Sequence, residues 1–330
     1  ARWDTREHLD GEEHRKRATT RRRYDPWHDA TMAVDGAVAA ALGEHSRDRW
    51  KAAGGEPIEP PSASSDPWPE ELDPHFRDVE IAIARTRGEY DGEECIREIE
   101  ALYVDMIRSA KRFVYAENQY FASRIVAKAI SERLQEPDPR EFVIVNPHSA
   151  DGWLEDEVMS SARGEVVDQV RKCDRHGRFR IFYPVTEGRE DVYVHSKITI
   201  VDDRMIRVGS ANLNNRSMGL DSECDLMIDA SLPGNAAAEE TIAILRSDLM
   251  AEHLGRSVDT IDAKFTETGS LIRTIESFSS SKGRGLVAFV PEKPDALGQA
   301  LAENEALDPE SAGEKFEPMA RPGLLARLGA

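Results

Sequence analysis

Residues 193–216 read YVHSKITIVDDRMIRVGSANLNNR, and they hold His195, Lys197, Asp202, Gly209, Ser210 and Asn212 in the frame H-x-K-x4-D-x6-G-S-x-N. An imidazole stands two residues from an ammonium. Side chains at i and i+2 of a strand face the same side. His195 and Lys197 are therefore expected to point together, with Val194, Ser196 and Ile198 turned into a packed layer. A neutral imidazole attacks phosphorus directly, whereas a protonated one donates a proton to a leaving alkoxide. Lys197, with Ser210 and Asn212 as neutral hydrogen-bonding neighbours, suits the nonbridging oxygens of a phosphodiester. A full cycle needs a nucleophile and an acid together, and so two histidines. Asp202 completes the motif and is placed with His195 and Lys197 in the catalytic set, although its turn position equally suits local backbone bonding. At average residue usage, all six places match by chance with a probability on the order of 1 in 100,000 for such a chain. A buried hairpin with an incidental histidine is therefore the weaker reading. A second H-x-K, at His14–Lys16, has Arg21 where the frame needs Asp.

The elements around the motif predict what holds it. Val192–Val201 and Met205–Val208 read as two strands joined by a tight turn at Asp202 and Asp203. Upstream, Val79, Ile81 and Ile83 alternate as in a strand. Ile96, Ile99, Tyr103, Met106, Ile107 and Ala110 recur at helical spacing. Strands are expected at Phe113–Tyr115, Phe142–Val145, Phe179–Phe182 and Leu226–Ile228, and helices over 122–134, 153–173 and 236–252. This rhythm means a sheet covered by helices on both faces. Thr31–Val34 reads as a short strand leading into a helix that ends near Trp50, and 52–77 as a Pro-rich loop. From about Ser279 the pattern fades into an acidic, Pro-containing tail that reads as mostly disordered.

The chain has 330 residues, 40% hydrophobic and 32% charged, with net charge -19. A packed core fits that composition. The charge argues against a general polyanion binder, so a phosphate site must be a local pocket and no nucleic acid is expected. Three dispersed cysteines (Cys95, Cys173, Cys224) fit a reduced compartment and no disulfide framework. None sits at zinc-ligand spacing, so neither metal nor cofactor is expected. No apolar run approaches the roughly 20 residues that span a bilayer. A cytoplasmic location is expected, with peripheral membrane contact left open.

The 193–216 motif resembles the second motif of the phospholipase D superfamily. Further stretches extend the resemblance over about residues 1–255. Ala116-Glu117-Asn118-Gln119-Tyr120-Phe121 looks like the family's I-E-N-Q-Y-F segment, and Pro26-Trp27-His28-Asp29 like P-W-H-D. Arg2-Trp3-Asp4-Thr5 resembles the R-W-D-T after the first motif. Asn215-Arg216-Ser217 with Asp221, Ser222 and Glu223 resembles N-x-R-S...D-x-E. The resemblance implies metal-independent phosphodiester cleavage or exchange through a phosphohistidine. It implies supporting roles for Asp4, Glu117, Asn118, Gln119 and Glu223. In the family each catalytic histidine is steadied by a carboxylate after the other motif, so Asp4 is expected to orient His195, and Glu223 a histidine that these residues lack.

The expected fold is an α/β helix–sheet–helix sandwich of the phospholipase D type, one complete half plus part of the other. Residues 1–78 are read as a remnant of the first half and a linker, 79–255 as the second, catalytic half, and 256–330 as a C-terminal helix and tail. The expected activity is phospholipase D-type cleavage or transfer on phospholipids, with water or an alcohol as acceptor. The missing first motif would come from an N-terminal half. Two alternatives stay open: a single-motif homodimeric phosphodiesterase or nuclease, whose site is built with a second chain, and a non-catalytic phosphate- or headgroup-binding relic.

Overall fold

The computed structural model describes residues 2–62, 68–90, 92–149, 153–291 and 308–309, with side chains of 153–160 excepted. An irregular segment leads to β1 (Trp27–His28), followed by α1 (Ala37–Ala52), β2 (Ala82–Arg87), β3 (Ile96–Arg97) and α2 (Glu98–Ser109). The alternating part then runs β4 (Phe113–Glu117), α3 (Arg124–Leu134), β5 (Glu141–Val145), α4 (Trp153–Cys173) and β6 (Phe179–Val185). The motif spans β7 (Tyr193–Val194), β8 (Ile198–Val201) and β9 (Met205–Gly209). After it come α5 (Asn215–Gly219), β10 (Glu223–Asp229), α6 (Ala238–Leu254), α7 (Val258–Thr268), α8 (Leu271–Phe278) and β11 (Gly285–Ala288).

Nine strands form one mixed sheet in the order β11-β6-β5-β4-β8-β9-β10-β2-β3. β4, β5 and β6 are parallel, because α3 and α4 cross between them. β8 runs antiparallel to both β4 and β9. The C-terminal ends of β4, β5, β6 and β9 and the start of β8 therefore share one edge of the sheet. β1 and β7 pair separately as a short parallel ribbon.

Period-two alternation divides the core into two layers. Val114, Phe142 and Ile144 pack with Ile99, Tyr103 and Met106 of α2, Val126 and Ile130 of α3, and Val170 of α4. Phe113, Tyr115, Val143 and Ile200 pack with Ile242 and Met250 of α6, Phe265 of α7 and Ile275 of α8. Each fully buried aliphatic or aromatic side chain contributes about 1.5–3 kcal/mol, so the sheet is a stiff base for a site on its edge. Side chains of Ser123, Ser257 and Ser270 cap the starts of α3, α7 and α8, and Gly255 ends α6 at φ 60°. No described helix is long and apolar enough to cross a membrane.

The α/β sandwich matches the sequence reading, with four local differences. Residues 31–34 form no strand; the short strand is Trp27–His28. The expected strand over Val192–Val201 breaks at 195–197, because β7 pairs with β1 while β8 joins the main sheet. Past residue 255 the described residues form two helices, divided at Gly269 and Ser270, that complete the second layer. β11 lies where the pattern fades and closes the sheet against β6. The expected disordered tail falls mostly on 292–307 and 310–330, outside the described residues. At 308–309, the Asp308 carboxylate accepts from the backbone N–H groups of Asn215 and Arg216.

Candidate active site

His195 sits at the shared sheet edge, in the gap between β7 and β8. The alternation expected around it holds for its neighbours: Val194, Ser196 and Ile198 are buried, whereas the His195 side chain is 39% exposed. Its backbone N–H donates to the His28 carbonyl at 2.7 Å. Its Nδ1 lies 2.9 Å from Asp29 Oδ2. Burial opposes ionisation of Asp29, but the His195 bond and the nearby Lys197 hold its carboxyl below the ordinary value. An ionised carboxylate only accepts, so Nδ1 is the donor in this bond, and in the neutral ring Nε2 is the nitrogen that carries the lone pair. Trp27 stacks on the His195 ring at 5.3 Å and on Tyr193 at 4.5 Å, with the Arg2 guanidinium over Trp27 at 4.2 Å.

The carboxylate that meets His195 is thus Asp29, not Asp4. The Asp4 side chain is buried and accepts from the Trp27 N–H at 2.9 Å, with the His8 ring at 3.0 Å and Arg15 at 3.3 Å. Fixed in this way, it holds the 2–5 segment against β1 and acts on His195 only through Trp27. Asp202 also departs from its expected place. Seven residues of extended chain, about 20 Å, separate it from His195. Its carboxylate accepts three backbone N–H groups, of Lys111, Arg112 and Phe113, at 2.6–2.9 Å. Its φ is +58°, a left-handed turn that Asp tolerates. Asp202 pins the far end of β8 to β4 and does not reach the reacting edge.

Lys197 is nearly buried, with Nζ 2.6 Å from the His195 carbonyl oxygen and 3.4 Å from Gln119 Oε1. Gln119 in turn donates to the hydroxyls of Tyr193 and Tyr120. The Lys197 carbonyl accepts from Arg207, which is itself paired with Asp225 and lies over the Tyr103 ring. Gly209 has a steric reason: a Cβ there would collide with the Asp225 carboxylate. Ser210 Oγ donates to Glu223 Oε2 at 2.5 Å, and Ser217 Oγ to Glu223 Oε1 at 2.7 Å. Burial pushes the Glu223 carboxyl up. Asn118 accepts from the Leu213 N–H at 2.9 Å and so ties the end of β4 to the loop after β9. Asn212 Oδ1 is buried with no hydrogen-bond partner among the described residues.

Burial pushes the Lys197 ammonium down to about 8, with Asp29 and Glu223 pulling the other way. The group is charged below that pH and neutral above it. Sulfate, an anion of constant charge over this range, is therefore expected to bind up to about tenfold more weakly per pH unit above 8. Calorimetric titration on both sides of that pH checks it, and a flat affinity would contradict a phosphate-binding role for Lys197.

Among the described residues, two groups bring three His or carboxylate ligand atoms together: His8, His28 and Glu252, and His28, Glu117 and His253. Sequence spacing gave no sign of them, since each is assembled from distant segments. Their atoms are already hydrogen-bonded to one another at 2.6–3.2 Å. Glu117 also accepts from Tyr115 and Ser196, so both its oxygens are taken. That is a hydrogen-bonded polar network, in which His253 Nδ1 is buried with no partner among the described residues. It engages Glu117 in the core, while Gln119 and Glu223 line the exposed edge.

A sequence profile described as Phospholipase D matches residues 158–284. Phospholipase D A of Dictyostelium discoideum is 28% identical over 70% of this chain and 21% of its own length. Phospholipase D alpha 1 of Cynara cardunculus is 26% identical over 72% of this chain and 41% of its own. For Phospholipase D1 of Schizosaccharomyces pombe the values are 27%, 76% and 23%. The chain thus spans less than half the length of these relatives. Among solved structures, NucT from Helicobacter pylori aligns with 51% of this chain and 97% of that one, at 16% identity and TM-score 0.33. Phosphatidylserine synthase from Haemophilus influenzae Rd KW20 aligns with 64% and 47%, at 16% and 0.36.

Proposed function

Because this chain belongs to the phospholipase D superfamily, we propose that His195, Lys197, Ser210 and Asn212 form one half of a phosphodiester-cleaving site that acts on phospholipids through a phosphohistidine. The observation that carries the reading is the His195–Asp29 pair at 2.9 Å beside a nearly buried Lys197. With Nδ1 engaged, Nε2 is free for one of the two jobs of the cycle. One histidine attacks phosphorus and expels the headgroup alkoxide, which takes its proton from the other histidine. Water or an alcohol then gives up a proton to that second imidazole and attacks the phosphohistidine. The P–N bond breaks, and phosphatidic acid or a new phosphatidyl ester leaves. Lys197 offsets the charge that accumulates on the nonbridging oxygens, with the Asn212 amide beside it and Ser210 once its hydroxyl turns from Glu223.

Such a site needs no divalent ion, since the protein itself supplies the positive charge. The test uses an assembly that includes a first-motif half. It is given phosphatidylcholine vesicles and a primary alcohol, with and without a chelator. The expected products are the phosphatidyl-alcohol and free choline, at a rate the chelator leaves unchanged. Cleavage confined to nucleic acid would favour the nuclease reading. Activity lost on chelation and restored by zinc or magnesium would contradict the metal-free mechanism. The acidity of the chain supports a lipid over a nucleic-acid substrate.

A further inference from the structure

His28 lies between the two residues that hold the His195 ring. Trp27 stacks on that ring and Asp29 bonds its Nδ1. Neighbouring side chains of an extended segment alternate in direction, so His28 turns the other way, into the core. There both of its ring nitrogens are gripped by carboxylates. Nε2 lies 2.6 Å from Glu117 Oε2, and Nδ1 lies 2.7 Å from Glu252 Oε1. We propose that His28, clamped between Glu117 and Glu252, is a positioning residue that sets the Asp29–His195 bond and with it the tautomer of His195. This rests on the reading of His195 as the reacting imidazole.

Three features of the geometry support it. First, β1 is two residues long, and among the described residues it pairs with one strand, β7. So short a ribbon has little stability of its own, and its buried anchor must come from a side chain. Second, the clamp closes on the motif from both sides. Glu117 Oε2 also accepts from Ser196 Oγ at 2.8 Å, and Ser196 stands between His195 and Lys197. On the other side Glu252 Oε1 meets His8 Nε2 at 3.2 Å, His8 Nδ1 meets Asp4 Oδ2, and that same oxygen takes the Trp27 N–H. The loop runs from the Trp27 backbone through α6 and β4 to the 195–197 backbone. Third, the charges keep it shut. Burial opposes a charge on His28, yet Glu117 and Glu252 hold its imidazolium up to about 10. The other titratable groups beside its ring are His253, which burial pushes down and which meets Glu117 through Nε2, and His8.

Selective 15N-histidine labelling of the full 330-residue chain tests this without turnover. Ring 15N shifts report which nitrogen of His195 carries the proton. The wild type is expected to show the Nδ1–H form. Asp29→Asn defines the released end point. Glu252→Gln keeps the shape and removes the charge that holds His28 from α6. It is expected to move the His195 tautomer ratio roughly tenfold towards that end point, the size expected for weakening a charged hydrogen bond. His28→Gln should move it at least as far. Tyr115→Phe removes a donor to Glu117 that does not touch β1, and it should leave the His195 shifts in place. Wild-type His195 shifts in a folded Glu252→Gln chain would overturn the proposal, and so would an equal change in Tyr115→Phe. If His28→Gln fails to fold, the isosteric Glu252→Gln decides alone. Lack of phosphodiesterase activity, by contrast, would count against the functional reading and leave this coupling standing.

Discussion

Replacing His195 by Asn is expected to lower turnover by about ten-thousandfold or more in a catalytically competent assembly, while the fold survives. Removing one member of a coupled nucleophile–acid pair costs orders of magnitude, because the remaining groups still bind substrate but cannot complete the chemistry. The survival of the fold follows from the site. The His195 side chain is 39% exposed, and among the described residues it hydrogen-bonds to Asp29, itself 40% exposed. Substitutions at such positions usually change stability by less than about 0.5 kcal/mol. Circular dichroism and a thermal melt check the fold, and headgroup release from phospholipid vesicles checks the rate. Near-wild-type turnover in a folded variant would show that the reaction runs elsewhere. Turnover lost only together with the melting transition would show that His195 is structural.

What the sequence revealed of this site follows from how local each contact is. His195, Lys197, Ser210 and Asn212 lie in one short hairpin, so a fixed spacing carries them. The orienting carboxylate does not, because Asp29 is 166 residues from its partner. Asp4 stood in an equally acidic stretch nearby, and nothing in residue type separates the two. What separates them is β1. Its pairing with β7 carries Asp29 to His195, and two residues show no periodicity. The same holds for Arg207, Glu252 and His253. On their own elements they look like ordinary charged or polar residues, and they take on meaning only when sheet and helix layers bring Arg207 to Lys197, Glu252 to His28 and His253 to Glu117. Asp202 shows the converse. It matches the motif at a fixed place, yet the frame records a strand length and a turn. The sheet itself was legible because β4, β5, β6 and the helices between them repeat their periods clearly. β11 was missed, a four-residue edge strand beyond the last clear helix.

These 330 residues alone are expected to be inactive, or nearly so, on phosphatidyl substrates. In-line transfer needs a nucleophile on one side of phosphorus and an acid on the other. Only His195 stands in an H-x-K-x4-D frame here, and it supplies one side of that pair. Glu223 points to the place of the other. It is held by Ser210 and Ser217 on the exposed edge, its carboxyl is raised by burial, and no imidazole is among its hydrogen-bond partners in the described residues. An incoming histidine bonded to Glu223 would face a phosphate held by Lys197. That is the arrangement in which one imidazole attacks and the other protonates. Adding a segment with its own H-x-K-x4-D, in cis or as a separate chain, is therefore expected to raise turnover from background by several orders of magnitude. Glu223→Gln should then undo most of that gain while leaving His195–Asp29 intact. Headgroup release at several chain concentrations, with the mass measured by light scattering, reads the outcome. Robust activity from a verified monomer would mean that one motif suffices. Activity rising with the square of concentration, with no added segment, would mean that two copies of this chain build the site between them.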